Sequence, residues 1–451
     1  MWRWVPRVVR SHPMIWSSLG LISGKAVLMG LGFLFWLLAA RRFPAREVGL
    51  TGAAISAIML GVQLSLLGVG SAFITRYPRR QQRPADLLDT AITIVALASL
   101  MFAVAFLLLA SSVLSELRVV ASMPVYAVLF IVMCVLGTVG TLFDQVSMAQ
   151  GRGDRIVTRS VLNGLLTLAP VPFLPVAVGD LASLELFATW VVGGLGACVL
   201  ALVQLGRPPI SYRYRPWTSW PAVKDLVRVG LPNHMLTLAE RAPGLILPIV
   251  VTELLSPAAN AYWYTTWMMA WGVYVIPTSM GIGLLAEAAH RPSSLGAQAR
   301  RAVRSSLAIG GIVGAVLAAV AGPVLSLVGE AYADAGVTPL RVLVLGVVPL
   351  SFIQVYFSAC RATGRLREAI TTGVVMGVAG VGATAAAGVL HGLNGMAICW
   401  VLVLTAASLW SVRRLRRLLQ PSAEDAAPGR RVASPSAHGT DGGSRQVGAA
   451  G

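Results

Sequence analysis

Acidic residues are scarce in this chain. Its 451 residues include 18 Asp and Glu against 36 Lys and Arg, and charged residues of both signs reach only 12%. Soluble domains carry roughly 25% charged residues, so this composition argues against a globular soluble enzyme. Cysteine is rarer still. Cys134, Cys198, Cys360 and Cys399 all fall inside apolar runs, and neither a disulfide framework nor a metal site is expected from them. A nucleotide-binding loop is also missing. The segment GLISGK at 20–25 lacks the required spacing and the following Ser or Thr, so ATP hydrolysis by this chain is excluded and no cofactor is expected.

What is abundant is apolar length, with 56% of residues hydrophobic. Runs long enough to span a bilayer fall near 14–40, 48–75, 87–111, 122–143, 156–178, 184–204, 229–252, 258–284, 305–328, 338–359, 369–390 and 393–412. The expected fold is an all-α polytopic membrane protein with twelve transmembrane helices. The net charge of +18 sits in short clusters between these runs, the pattern of cytoplasmic loops rather than of a nucleic-acid surface. With the N-terminus inside, the inner segments hold 29 Lys and Arg and the outer loops 5, which places both termini in the cytoplasm. Arg41, Arg42 and Arg46 in the first outer loop break that pattern. The basic start resembles a signal peptide, but the apolar run behind it is too long for one, so no cleavage is expected. Residues 419–451 read as a disordered cytoplasmic tail.

The inner segment 205–228 divides the helices six and six, giving lobes at 1–204 and 229–418. An offset of 213 residues brings Pro44 onto Pro257, Gly68 and Gly70 onto Gly281 and Gly283, and Gly179 onto Gly392. It also brings Ala149-Gln150-Gly151-Arg152 onto Ala362-Thr363-Gly364-Arg365. Six helices per half insert the same way up, which implies a parallel pseudo-two-fold repeat with a substrate site between the halves.

Within the spans, charged groups are few. Lys25 lies near the middle of the first helix and Arg241 at a similar depth in the seventh. The repeat maps Lys25 onto Leu238, one turn from Arg241, so the two cations are expected to share a central anion-binding cavity. Glu240 is the one carboxylate placed well inside an expected span, either pairing with a cation or binding a coupling ion. Trp263, Trp267 and Trp271 recur at i, i+4 and i+8, with Tyr274 on the same face. Such a stripe suits either sugar stacking or helix packing and an interfacial belt. Gln63, Asn163, His234 and Gln354 read as helix–helix hydrogen-bonding residues.

The segments LLAARRFPAREVGLTGAA, LSLLGVGSAFITRYP, MAQGRGDR, DLVRVGLPNHMLTLAERAP, SACRATGRLREA and GLNGMAICWVLVL together resemble the Wzx-like polysaccharide flippases of the multidrug/oligosaccharidyl-lipid/polysaccharide (MOP) superfamily. The resemblance covers about residues 14–418. It implies flipping of an undecaprenyl-pyrophosphate-linked oligosaccharide from the inner to the outer leaflet of the plasma membrane, for cell-surface or exopolysaccharide biosynthesis. It further implies Lys25, Arg76 and Arg241 as basic cavity residues, and a polysaccharide polymerase and export machinery as partners. A MATE-like cation antiporter would favour an acidic cavity, whereas Lys25 and Arg241 outnumber Glu240. A membrane glycan polymerase or ligase would need a larger outer loop than 330–340. A sugar permease of the major facilitator type would carry a charged turn that RYPRRQQRPADLLD lacks.

Overall fold

The structure, a computed structural model, describes residues 29–70, 72, 84–175, 179–206, 220–290 and 294–418. Lys25, Arg76, the first half of the first expected span and the C-terminal tail lie outside the described residues. The chain forms helices α1 (29–42), α2 (Ala45–Ser65), α3 (Pro84–Ser112), α4 (Arg118–Ser122), α5 (Pro124–Ala149), α6 (Gly153–Leu168) and α7 (Asp180–Gly206) in its first half. The second half contains α8 (Trp220–Leu254), α9 (Pro257–His290), α10 (Leu295–Ala319), α11 (Ala321–Val328), α12 (Glu330–Leu345), α13 (Val347–Ala362) and α14 (Leu366–Leu418).

Nine of the described helices are long and apolar enough to cross a membrane, and α12 with α13 forms a tenth span bent by 41°. The 53-residue α14 is two spans joined at Gly392, whose φ of 61° turns the chain back. With α1, these segments follow the twelve-span order of the sequence. Individual limits differ. The expected span 156–178 is the shorter α6, which stops before Pro170 and gives way to a 3-10 turn at Val171–Phe173. The run 305–328 begins earlier, at Leu295, and breaks at Val320. The inter-half segment is shorter than 205–228, because α7 continues to Gly206 and α8 starts at Trp220.

The internal repeat is visible in the backbone. After α5, Gly151 adopts φ 69° and Arg152 N–H returns to Ser147 O; after α13, Gly364 adopts φ 73° and Arg365 N–H returns to Cys360 O. Both are left-handed glycine caps closing the fourth helix of a half. Gly179 and Gly392, 213 residues apart, also share positive φ. Each half has the ends of its fourth, fifth and sixth spans tied by a charged cluster at matching places. In the first, Arg159 of α6 donates to Asp144 of α5 at 2.6 Å and to Gln204 of α7 at 2.8 Å. In the second, Glu368 accepts from Arg414 at 2.7 Å and from Tyr356 at 3.0 Å.

The three arginines of the first outer loop are all engaged. Arg42 donates to Pro172 O and Leu174 O, and Arg46 pairs with Asp180 and Glu116. Arg41 donates to Leu327 O across the halves.

The seam between the halves is built on α2, the most enclosed candidate span at 78% buried. Its N-terminal portion meets α9: Asn260 Nδ2 donates to Gly49 O at 2.8 Å, and a Cβ on Gly49 would collide with the Pro257 carbonyl. Just beyond its C-terminal end, Gly68 (φ 75°) abuts Gly230 of α8, which leaves no room for a Cβ on either. Peripheral helices instead turn Met101, Leu108, Ile312, Val316 and Val378 outward, as an apolar solvent requires.

Candidate functional site

Three internal prolines, Pro232, Pro243 and Pro248, interrupt the hydrogen-bond ladder of α8 and set its course along the seam. The helix presents two faces. Leu236, Ala239 and Pro243 pack on α14, against Gly373 and Gly377. Gly230, His234, Thr237 and Arg241, spaced at i, i+4, i+7 and i+11, lie on the opposite stripe. That stripe faces the first half: Gly230 abuts Gly68, and the His234 ring lies 2.6 Å from Gln63 O of α2. Since the carbonyl can only accept, His234 Nε2 carries the proton in this contact.

Arg241 shares this stripe with Gly230 and His234, midway along a spanning helix, and its side chain is exposed. Glu240, one residue earlier, lies between the two faces. Its carboxylate takes the guanidinium of Arg361 at 3.4 Å to each oxygen. Both partners of this pair are mostly enclosed, with side chains 12% and 16% exposed. Arg361 comes from the last turn of α13 and reaches back into the bundle. Arg241 is close enough to His234, Glu240 and Arg361 to interact electrostatically with each. The cluster holds two guanidiniums and one carboxylate, an excess of one positive charge.

Glu240 thus has a cation partner, but it is Arg361, two residues beyond the expected span 338–359. Other buried carboxylates also escape the sequence reading. Glu47 and Asp89 are both buried, and Glu253 serves the seam described below. The Trp stripe packs largely within its own half. Trp263 is fully buried and Trp267 nearly so; they stack on each other at 5.6 Å, and Trp267 meets Trp400 of α14 at 5.2 Å. They belong to the core of the second half, where they pack helix against helix. Trp271, 37% exposed, is the one member open to the surface. The reason is geometric. Ala261 and Tyr264 of α9 pack with α2 in one core, whereas Trp263 and Trp267, on the flank of the same helix face, pack in the core of the second half.

Two six-helix halves of like insertion, meeting along α2, α8 and α9 with a charged cluster at the seam, define a two-lobed membrane bundle. No protein-family profile matches the chain, and no curated protein does. Solved structures do match. The chain has the fold of an "inward-facing conformation of a multidrug resistance MATE family transporter of the MOP superfamily", with a TM-score of 0.68 at 16% identity over 88% of this chain and 98% of that one. The outward-facing conformation of such a transporter matches with a TM-score of 0.62 at 18% identity, over 91% and 97% of the two chains. A MATE in complex with MaL6 matches at 0.62 and 18%, over 90% and 96%. The chain is a multi-pass membrane protein of this twelve-helix, two-lobed fold.

Proposed function

We propose that the protein is a flippase for a lipid-linked oligosaccharide whose anionic diphosphate head group is carried between the two halves. The observation that carries this reading is the charge at the seam. Arg241, on the stripe of α8 whose Gly230 and His234 meet the first half, is exposed beside a Glu240 already occupied by Arg361. A cationic drug would need a free carboxylate there; a diphosphate needs guanidinium donors, which bind it with directed, charge-assisted hydrogen bonds. By the resemblance to Wzx-like flippases, Lys25 and Arg76, which lie outside the described residues, would add two further cations to the head-group contacts. The undecaprenyl carrier, the plasma membrane and a downstream polymerase and export machinery complete the reading by resemblance to the Wzx-like flippases. MATE-like cation antiport is the second reading, favoured by the solved structures that share the fold.

The test is the lipid-linked glycan pool of cells lacking the protein. Glycan-loaded undecaprenyl diphosphate should accumulate on the inner leaflet and clear when the native chain is restored, but not with Arg241→Ala. An unchanged pool together with altered sensitivity to cationic drugs would favour antiport.

A further inference from the structure

The outer end of α8 carries a contact that neither the helical packing nor the cargo reading requires. Glu253 stands in the last turn of α8, where a carboxylate is unfavourable for its own helix because the C-terminal carbonyls already concentrate negative charge. Its oxygens are taken up by the other half of the molecule. Oε2 accepts from Ser115 N–H at 2.7 Å, from the Ser115 hydroxyl at 3.0 Å and from Glu116 N–H at 3.2 Å. Oε1 accepts from Leu117 N–H at 2.9 Å. Three consecutive backbone N–H groups and a hydroxyl thus converge on one carboxylate, a nest that suits an anion.

Both sides of this contact are anchored in their own half. The 113–117 loop is fixed by the fully buried Leu117 and by Arg46 of α2, which pairs with Glu116 at 3.6 Å. The outer part of α8 is fixed by Leu247 and Val251, both fully buried in the core of the second half. Nearby, Asn260 to Gly49 O and Arg41 to Leu327 O cross the same seam on the same side.

We propose that Glu253 is a releasable latch that holds the outer seam of the two halves shut. The carboxylate is only half-buried, and water can replace every one of its partners. Opening the outer seam therefore exchanges protein hydrogen bonds for hydration and strands no polar group in an apolar environment. Apolar contacts alone would seal the seam with no comparable directional register.

The test uses the full-length chain in lipid nanodiscs, with spin labels on Phe173→Cys and Leu390→Cys in a Cys399→Ser background. Both labelled positions are strongly exposed, and they lie in different halves. Pulsed electron-spin distances then report the outer separation. Glu253→Ala should raise the ratio of open to closed outer distances on the order of tenfold, the scale of losing charged hydrogen bonds. Glu253→Gln, which keeps one acceptor oxygen and loses the charge, should fall between native and Ala. Distances unchanged in both variants overturn the latch. So does a fall in melting temperature with no change in distance, which would make Glu253 a static brace. If the Ala variant does not fold, the isosteric Gln variant decides alone. No cargo enters the measurement, so the latch and the flippase reading fail separately.

Discussion

At the scale of single residues, the central feature is an ion pair with a spectator charge. Burying Glu240 and Arg361 together is tolerable because each satisfies the other, whereas removing one strands the remaining charge. Arg361→Gln should therefore cost about 3–5 kcal/mol of stability in thermal unfolding, the penalty of an orphaned buried charge. The double variant with Glu240→Gln should lose less than the sum of the two singles. Strict additivity would mean that the pair is not coupled. Trp263 gives a prediction of another kind. Replacing this fully buried side chain with Leu leaves a void and should cost about 2–4 kcal/mol while glycan selectivity stays unchanged. Altered selectivity at native stability would return it to the transport path. Periodicity had identified this stripe as one continuous face, but no spacing rule says which face of a helix looks at the seam and which at its own lobe. Arg361 was missed for a related reason. Its position at a helix end reads as a loop cation, and only the length of its side chain carries the guanidinium inward.

At the scale of elements, the caps were the most legible part of the fold. Gly151 and Gly364 stood out by their common offset, and both hold the left-handed conformation that an L-residue reaches only with strain. Because open space surrounds each, Gly364→Ala should cost about 1 kcal/mol from backbone strain alone and leave transport near native, as a melting curve with a flipping assay would show. Gly230→Ala should behave differently. Its Cβ would meet the Gly68 backbone, which cannot yield as a flexible side chain does, so α2 and α8 would be held apart at this point. Transport should fall well beyond the loss of stability, and near-native transport would show that this approach is dispensable. The breaks at Val320 and Gly346 were not legible, because an apolar run has the same composition whether its helix is straight or bent.

At the scale of the whole molecule, the account joins a two-lobed bundle to an anionic cargo. A diphosphate with about two negative charges, driven outward by an inside-negative potential of 100 mV, would gain roughly 4.6 kcal/mol if uncompensated. Arg241 and Lys25 would neutralise that charge in the loaded carrier, so the potential would act on return of the empty, cationic one. Transport would then slow when the potential is clamped to zero at equal pH on both sides. Dependence on a pH or sodium gradient that Glu240→Gln abolishes would instead make Glu240 the coupling site. Beneath this lies the claim that the seam receives an anionic lipid head group. The most direct measurement is leaflet exchange in proteoliposomes of a fluorescent undecaprenyl-diphosphate oligosaccharide, run beside uptake of a cationic dye. The account predicts protein-dependent movement of the lipid, reduced about tenfold or more by Arg241→Ala as a lost charge-assisted contact requires, with no movement of the dye. Dye transport driven by an ion gradient, with the lipid left in place, would contradict it.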